Sequence, residues 1–561
     1  MSSSLPRPKN LSIYSQFTLQ KAFKNYPKHF KAFHLQTESF PTSKILLKSL
    51  LRRAKSLKAL SLEKYEQLPD LKPSKTLSLI KSFPHIQSLT LPGDTDKHLL
   101  IKIYIKWLKR SKRLLYITFG TIPISFQMHL LQSPFKSSTA LLESLQLKYK
   151  KAFKRAKLRS LALQSPQDIS SNLYLSYPSS LKKLSISSYF SITSSSIDLS
   201  HLPNLSILHL DFPIGFLHLL DTLHSLPNPQ KLTHLTAHIS DAFPRANKQT
   251  FRLPESLVYF QALHSLHLEI KSFLFISFLF KSFKNPENLR QLTLHIPVQN
   301  EEELLELALF IGKLQNLSHL ALKNQRSLKD RAPEGHYELF NQISRLSQLQ
   351  SLEISLYGEK STMPSSGIFH GSLARFTNCV DKLGELQEIT FTQSEICPED
   401  ELYSLAEVLE KKGSKLKSLR IGFVNRNSEI DHLEVFNETI QTMNNLEDLR
   451  LEGLWTQKES LEEFCNVISK LKCLRSVIID VNETDVNQVE FTRIVREILM
   501  TYGLEELKWF GDAKIKVMGK AEPIDIKEVL QKNPRLQRIG LGSLIFDNQI
   551  LSFLNKDMIA S

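Results

Sequence analysis

Leu289-Arg-Gln-Leu292-Thr-Leu294, Leu317-Ser-His-Leu320-Ala-Leu322 and Leu349-Gln-Ser-Leu352-Glu-Ile354 state one phrase, L-x-x-L-x-L, three times between Leu289 and Ile354. Alternate positions of a strand share a face, so each phrase makes a short strand with one aliphatic side. Segments of helical period lie between the phrases, such as Glu301 to Leu314. One unit is therefore a strand followed by a returning helix. Neither element can cover its apolar face alone, so successive units must stack.

Working outward, the phrase recurs with first positions at Phe30, Leu57, Ile86, Leu114, Leu142, Leu158, Leu181, Leu205, Leu232, Leu263, Leu289, Leu317, Leu349, Leu386, Leu416, Leu446, Leu474, Leu504 and Leu536. The spacing averages about 28 residues, enough for a strand, a helix of two to four turns and two connecting turns. It drops between Leu142 and Leu158 and widens between Leu349 and Leu386. Punctuation supports the helices: Pro398 precedes Glu399 to Lys411 and Gly413 follows it, while Gly503 follows Asp485 to Tyr502. Leu402, Leu405, Val408 and Leu409 give the first of these one inward stripe and leave its acids to water. Pro523 likewise precedes a helix at Ile524 to Gln531, and His98 to Leu108 reads as a helix wedged against the strands.

This pattern resembles the leucine-rich-repeat superfamily, in its long-repeat, ribonuclease-inhibitor-like branch, over nearly the whole chain. The resemblance implies an α/β solenoid, a curved horseshoe with parallel strands on the concave face and helices on the convex face. It also implies a non-catalytic platform for another macromolecule. Family repeats place Asn or Cys eight residues after the first Leu. Here Asn482 holds that place, but Tyr65, Tyr189, Pro213, Pro297, Gln325 and Val424 occupy it elsewhere, so the asparagine ladder is mostly missing.

A repeat array grows by addition, which overrides the expectation of several domains for 561 residues. Seventeen glycines and a 41% hydrophobic fraction exclude collagen-like and wholly disordered classes. The net charge of +16 is unevenly spread. Residues 1–200 carry 33 Lys and Arg against 9 Asp and Glu, residues 201–300 carry 8 against 6, and residues 301–561 carry 31 against 41. The basic third suits phosphate, anionic lipid or an acidic protein surface, and equally a solvated exterior. Its densest runs are Lys109, Arg110, Lys112 and Arg113, then Lys148, Lys150, Lys151, Lys154, Arg155, Lys157 and Arg159. These are candidate contacts for RNA or another anionic partner. Cys379, Cys397, Cys465 and Cys473 have no disulfide-scaffold spacing and read as reduced packing residues. The first ten residues lack the apolar core of a secretory signal, and Phe273 to Phe280 is too short to span a bilayer. The expected setting is cytoplasmic, with the nucleus open, and no membrane span.

Residues between the repeated leucines face outward and align from strand to strand. From Leu205 on, the rows read Ile207, His209, Asp211; His234, Thr236, His238; Ser265, His267, Glu269; Gln291, Thr293, His295; and His319, Ala321, Lys323. If these registers hold, His238 lies between the carboxylates of Asp211 and Glu269 and keeps its proton to higher pH. Three readings fit: an ordinary polar ladder, a partner surface, or a metal site, although a flat ladder diverges where ligation needs convergence. In the basic third the columns are small and neutral, as at Ser61, Thr90, Thr118, Ser144, Ser160 and Ser185. Beyond Leu349 they are charged with mixed sign: Glu353, Glu388, Arg420, Asp448, Arg450, Glu506, Lys508 and Arg538. Mixed charge on a rigid surface selects protein partners, so this half carries the expected docking footprint.

There is no G-x-x-x-x-G-K-[ST], G-x-G-x-x-G, G-x-S-x-G or H-E-x-x-H, so no enzyme or cofactor is expected. The expected organisation is a tail or N-terminal cap over 1–25, basic degenerate repeats over 26–200 and regular repeats with acidic helices over 201–561. The expected function is a protein-interaction scaffold. RNA or ribonucleoprotein binding through the basic third is the first alternative. A ubiquitin-ligase substrate receptor is the second, although Tyr14 to Leu35 lacks the Leu-Pro opening of an F-box.

Overall fold

The computed structural model describes five short strands before residue 122, and thereafter residues 159–165, 179–188, 197–240, 262–270, 286–298, 300–324, 333–356, 372–393, 398–423, 431–484, 488–500 and 503–510, with short pieces between 529 and 546. The chain forms α/β ladders of parallel strands with helices between them, in two compact units. The first is Met1–Lys271 with Ser282–Asn285, and the second is Ser272–Lys281 with Pro286–Ser561.

In the first unit the strands are β1 (Asn10–Ile13), β2 (Ala32–Leu35), β3 (Ala59–Ser61), β4 (Ser88–Leu91), β5 (Tyr116–Thr121), β6 (Ser160–Ser165), β7 (Lys183–Ser188), β8 (Ile207–Gly215), β9 (His234–Ser240) and β10 (Ser265–Ile270). Each pairs in parallel with its predecessor. The second unit holds β11 (Gln291–Ile296), β12 (His319–Asn324), β13 (Ser351–Leu356), β14 (Glu388–Gln393), β15 (Ser418–Phe423), β16 (Asp448–Thr456), β17 (Ser476–Thr484), β18 (Glu506–Phe510) and β19 (Arg538–Leu541). These are again parallel neighbours, and β20 (Leu544–Phe546) returns antiparallel to β19. Every strand from β2 to β19 begins two residues after a first position read from sequence. The phrase at Leu142 is the exception: it lies outside the described residues, and β5 pairs directly with β6, Tyr116 opposite Ser160, leaving no rung between them. The helices expected at His98–Leu108 and across most of Ile524–Gln531 also lie outside the described residues.

One repeated bond arrangement sets the register. The carbonyl of the phrase's second residue accepts two backbone N–H groups from the next repeat. Arg290 receives Ser318 and His319 at 2.8 and 3.0 Å, Gln350 receives Gln387 and Glu388 at 2.8 and 2.9 Å, and Glu447 receives Arg475 and Ser476 at 2.7 and 3.0 Å. The same pair leads from Arg159 to Lys182 and Lys183 in the first unit. With register fixed, the phrase leucines fall on one side and are fully buried, as Leu289, Leu292, Leu294, Leu349 and Leu352 are. Each such side chain contributes on the order of 1.5–3 kcal/mol by leaving water. Phe376 stacks on Phe391 at 4.3 Å and meets Phe340 edge-on at 6.2 Å, filling the space between strand and helix layers across three repeats.

Helix α1 (Phe216–His224) follows β8. In the second unit, α2 (Glu301–Ile311), α3 (Pro333–Ile343), α4 (Ser372–Lys382), α5 (Glu399–Lys412), α6 (His432–Gln441), α7 (Lys458–Lys470) and α8 (Gln488–Leu499) pack in succession. Parallel strands joined by single helices oblige those helices to run parallel too, so their positive N-terminal ends stand side by side. Acids meet them there. Glu301, in the first turn of α2, accepts from the Gly335 N–H of α3 at 3.1 Å, and Glu401 of α5 accepts from Ala374 N–H of α4 at 3.2 Å. Asp431 joins two repeats. One oxygen caps α6 through Leu433 and Glu434 N–H and receives the Thr456 hydroxyl at 2.9 Å, while the other receives Gln457 N–H, the N-cap of α7, at 2.9 Å.

Two sequence features gain a physical detail. Gly413 does follow α5, but its φ of −49° is ordinary helix. What requires glycine is Thr442 Oγ1, which a Cβ would approach to 2.6 Å. Asparagine stitching is present at a different place, one residue before the phrase. Asn204, Asn316 and Asn445 each donate to a carbonyl one repeat back, on Ser179, Glu287 and Ser414.

Asp431→Ala removes a cap and charge-assisted bonds from a buried site. It should lower the unfolding free energy by about 2–4 kcal/mol in urea titrations followed by circular dichroism, and Asp431→Asn by less. An unshifted midpoint for Asp431→Ala would mean that the network contributes nothing.

Candidate functional site: the open face of the sheet

On the strands from β7 to β18 the helix-facing residues are buried and the alternate ones reach the opposite, open face. His209, His234, His238, His267 and Glu269 stand on β8 to β10 as expected, His295 on β11, His319 on β12, Glu353 on β13, Glu388 on β14, Arg420 on β15, Asp448 and Arg450 on β16, and Lys508 on β18. Of the basic run, Arg159 is described and exposed. Lys109, Arg110, Lys112, Arg113, Lys148, Lys150, Lys151, Lys154, Arg155 and Lys157 lie outside the described residues.

The expected sandwich of His238 between two carboxylates does not form. Strand β8 bulges between Leu210 and Pro213, so Pro213 faces His238 and Asp211 faces Ser187 of β7 instead. Proline has no N–H for the ladder, which is why the register slips there. Among the described residues Glu269 approaches His238, 3.5 Å from Nε2. Two of the patch histidines release their protons more readily than free imidazole. Burial lowers the pKa of His209, aided by Lys183 and opposed by Asp211, and burial lowers that of His234, aided by His264 and Lys183. His234 and His319 share a local device. The preceding hydroxyl, Thr233 or Ser318, gives its proton to a carbonyl of the previous repeat and lies 2.8 Å from the histidine Nδ1. With that hydroxyl proton committed, Nδ1 must donate, and a neutral ring keeps Nε2 as an acceptor.

The second unit carries the denser charge. From β13 to β19 the first outward column reads Ser351, Glu388, Ser418, Asp448, Ser476, Glu506 and Arg538. Serine and acid alternate until the last place. Beside it run Glu353, Thr390, Arg420, Arg450, Ile478, Lys508 and Gly540. Lys323 pairs with Glu353 at 2.8 Å and Lys508 with Glu506 at 2.7 Å. Arg420 reaches Glu452 at 3.0 Å, and Arg450 holds the other oxygen of the same carboxylate. Glu452, at the seventh place of the phrase that starts at Leu446, is a site residue that sequence reading missed. Asp448 is exposed yet titrates above the usual carboxylate range, first through partial burial and then through Glu447, Glu388 and Glu506, against which Arg475 acts.

Burial pushes the thiols of Cys379 and Cys465 up to about 12, so both stay protonated at neutral pH. No group of three His, Cys, Asp or Glu among the described residues could hold a metal ion, and no described helix is long and apolar enough to cross a membrane.

No protein-family model matches the chain, and no curated protein matches it in sequence. Among solved structures, the "Crystal structure of TLR13-ssRNA13 complex" is 15% identical, with 82% of this chain and 68% of that one covered and a TM-score of 0.30. So slight a likeness transfers neither fold nor partner, and the fold rests on the register above.

Because the folded-state pKa of Asp448 is raised, the fold binds its proton more tightly than the unfolded chain does, and ionisation opposes folding. Asp448→Asn should therefore melt higher than the native protein at pH 7. The difference should shrink as pH falls through the Asp448 pKa and be gone by about pH 3. A variant that melts lower at pH 7 contradicts the electrostatic account of this column.

Proposed function

We propose that the chain is a non-catalytic protein-docking scaffold that receives a partner on the open face of β13 to β19. The observation that carries this reading is the pair of adjacent columns, one alternating serine with acid and the other holding Arg420, Arg450 and Lys508, on a backbone already fixed by ladder bonds. A preformed surface spends little ordering entropy on docking, and mixed charge gives orientation and selectivity. His234, whose burial favours the neutral ring, adds an acceptor on β9. Repeats with strand, α-helix and return favour the ribonuclease-inhibitor-like branch as the form of the scaffold. The charge of residues 1–200 favours a second reading, RNA binding there. Its mark is an affinity that falls steeply with log salt, whereas mixed-charge docking falls gently.

Affinity capture from native extract, quantified by mass spectrometry, tests the main reading. The native protein should enrich a partner that Glu388→Lys/Asp448→Lys loses and that Glu407→Lys/Glu410→Lys, on the exposed face of α5, retains. Equal capture by the first pair would remove this face as the docking surface.

A further inference from the structure

Arg420 and Arg450 stand directly opposite each other on β15 and β16. Neighbouring strands lie about 4.8 Å apart, and like charges set opposite one another destabilise a sheet. The fold answers two guanidiniums with one carboxylate, Glu452, whose side chain is 18% exposed. Gly422 makes the room: a Cβ there would come 2.8 Å from Thr392 Cγ2 and 3.4 Å from Glu452 Oε2. The arrangement remains one positive charge in excess. Among the described residues Arg420 Nε–H is also buried with no acceptor. A buried donor without an acceptor on a charged group costs stability. Thr390 and Ile478 bound the pair along its column, one offering a hydroxyl and the other an apolar wall.

Charge decides which anion fits. Glu388 and Asp448 stand in the neighbouring column on one side, and Glu452 stands two residues beyond Arg450, opposite Gly422. A phosphate dianion or a nucleic-acid backbone brings no cation to these three carboxylates, whereas a protein segment can set basic residues against Glu388 and Asp448 while one of its carboxylates meets the planar forks of the arginines.

We propose that Arg420 and Arg450 clamp one carboxylate side chain of an extended protein segment lying across the strands, with Glu388 and Asp448 receiving basic residues beside it. The clamp rests on the docking reading and names the chemistry of its partner. Glu452 is the internal competitor: it holds the two arginines together in the free protein and weakens their grip on the ligand.

The test is fluorescence anisotropy with a labelled decapeptide of alternating lysine and glutamate, and with inorganic phosphate and decauridylate as competitors. The native protein should bind the decapeptide saturably. Arg420→Gln/Arg450→Gln should weaken it about tenfold or more, Arg420→Lys/Arg450→Lys by less because charge survives without the fork, and the exterior pair Lys411→Gln/Lys470→Gln by less than about twofold. Glu452→Gln should tighten binding about threefold or more by removing the competitor, an effect that a merely structural arginine cluster does not produce. The clamp is overturned by absent saturable binding, by equal binding in the glutamine pair, by weaker binding in Glu452→Gln, or by displacement at lower concentration of phosphate or decauridylate. A partner captured equally by native protein and the Arg420→Gln/Arg450→Gln pair, yet lost by Glu388→Lys/Asp448→Lys, overturns the clamp alone and leaves the docking surface standing.

Discussion

A single carbonyl oxygen accepting two successive N–H groups from the following repeat is the constraint from which the molecule's other features follow. It recurs at Arg290, Ser318, Gln350, Gln387, Lys417, Glu447 and Arg475, with donor distances between 2.7 and 3.2 Å. Because side chains alternate faces with a period of two, a slip by one residue would turn the phrase leucines to water and carry the outward columns into the core. Register and burial therefore reinforce each other. The same bonds explain the alignment of Arg420 with Arg450, a juxtaposition that the side chains alone would avoid.

Parallel rungs impose a second cost, which the chain offsets with acids. Aligned helices bring their positive ends together, and Glu301, Glu401 and Asp431 each accept from a neighbouring repeat near those ends. Part of the negative charge of residues 301–561 is thus structural. Basic residues gather at the opposite ends of the helices, Lys382 on α4, Lys411 and Lys412 on α5, and Lys470 on α7. The open face of the second unit carries further charge, chiefly in the two columns from β13 to β19.

The ladder was legible because its signal is local and repeated: aliphatic residues at three fixed places, with helical period between. What could not be read was non-local or accidental. The phrase at Leu142 matched by composition, yet Tyr116 pairs with Ser160 across it. Pro213 carried a usable warning, since a proline at an outward ladder position breaks a bond, and heeding it would have separated Asp211 from His238. The role of Asp431 depends on partners about one repeat away, at Thr456 and Gln457, and no spacing rule announces it. Glu452 sat in a column already drawn as far as Lys323, and extending that column along the later strands would have exposed the carboxylate shared by two arginines.

Deleting one whole repeat addresses the ladder most directly, because an array held by nearest neighbours tolerates loss of a complete unit and not of a fraction. Removal of Lys417 to Leu446 sets Glu447 after Leu416 and restores the phrase in register, whereas removal of Asp431 to Leu446 leaves a strand without its helix. Urea unfolding of both, followed by circular dichroism, should give a cooperative transition with native-like ellipticity per residue for the whole-repeat deletion and a collapsed transition for the partial one. Equal loss of cooperative unfolding in the two deletions would contradict a ladder of stacked repeats.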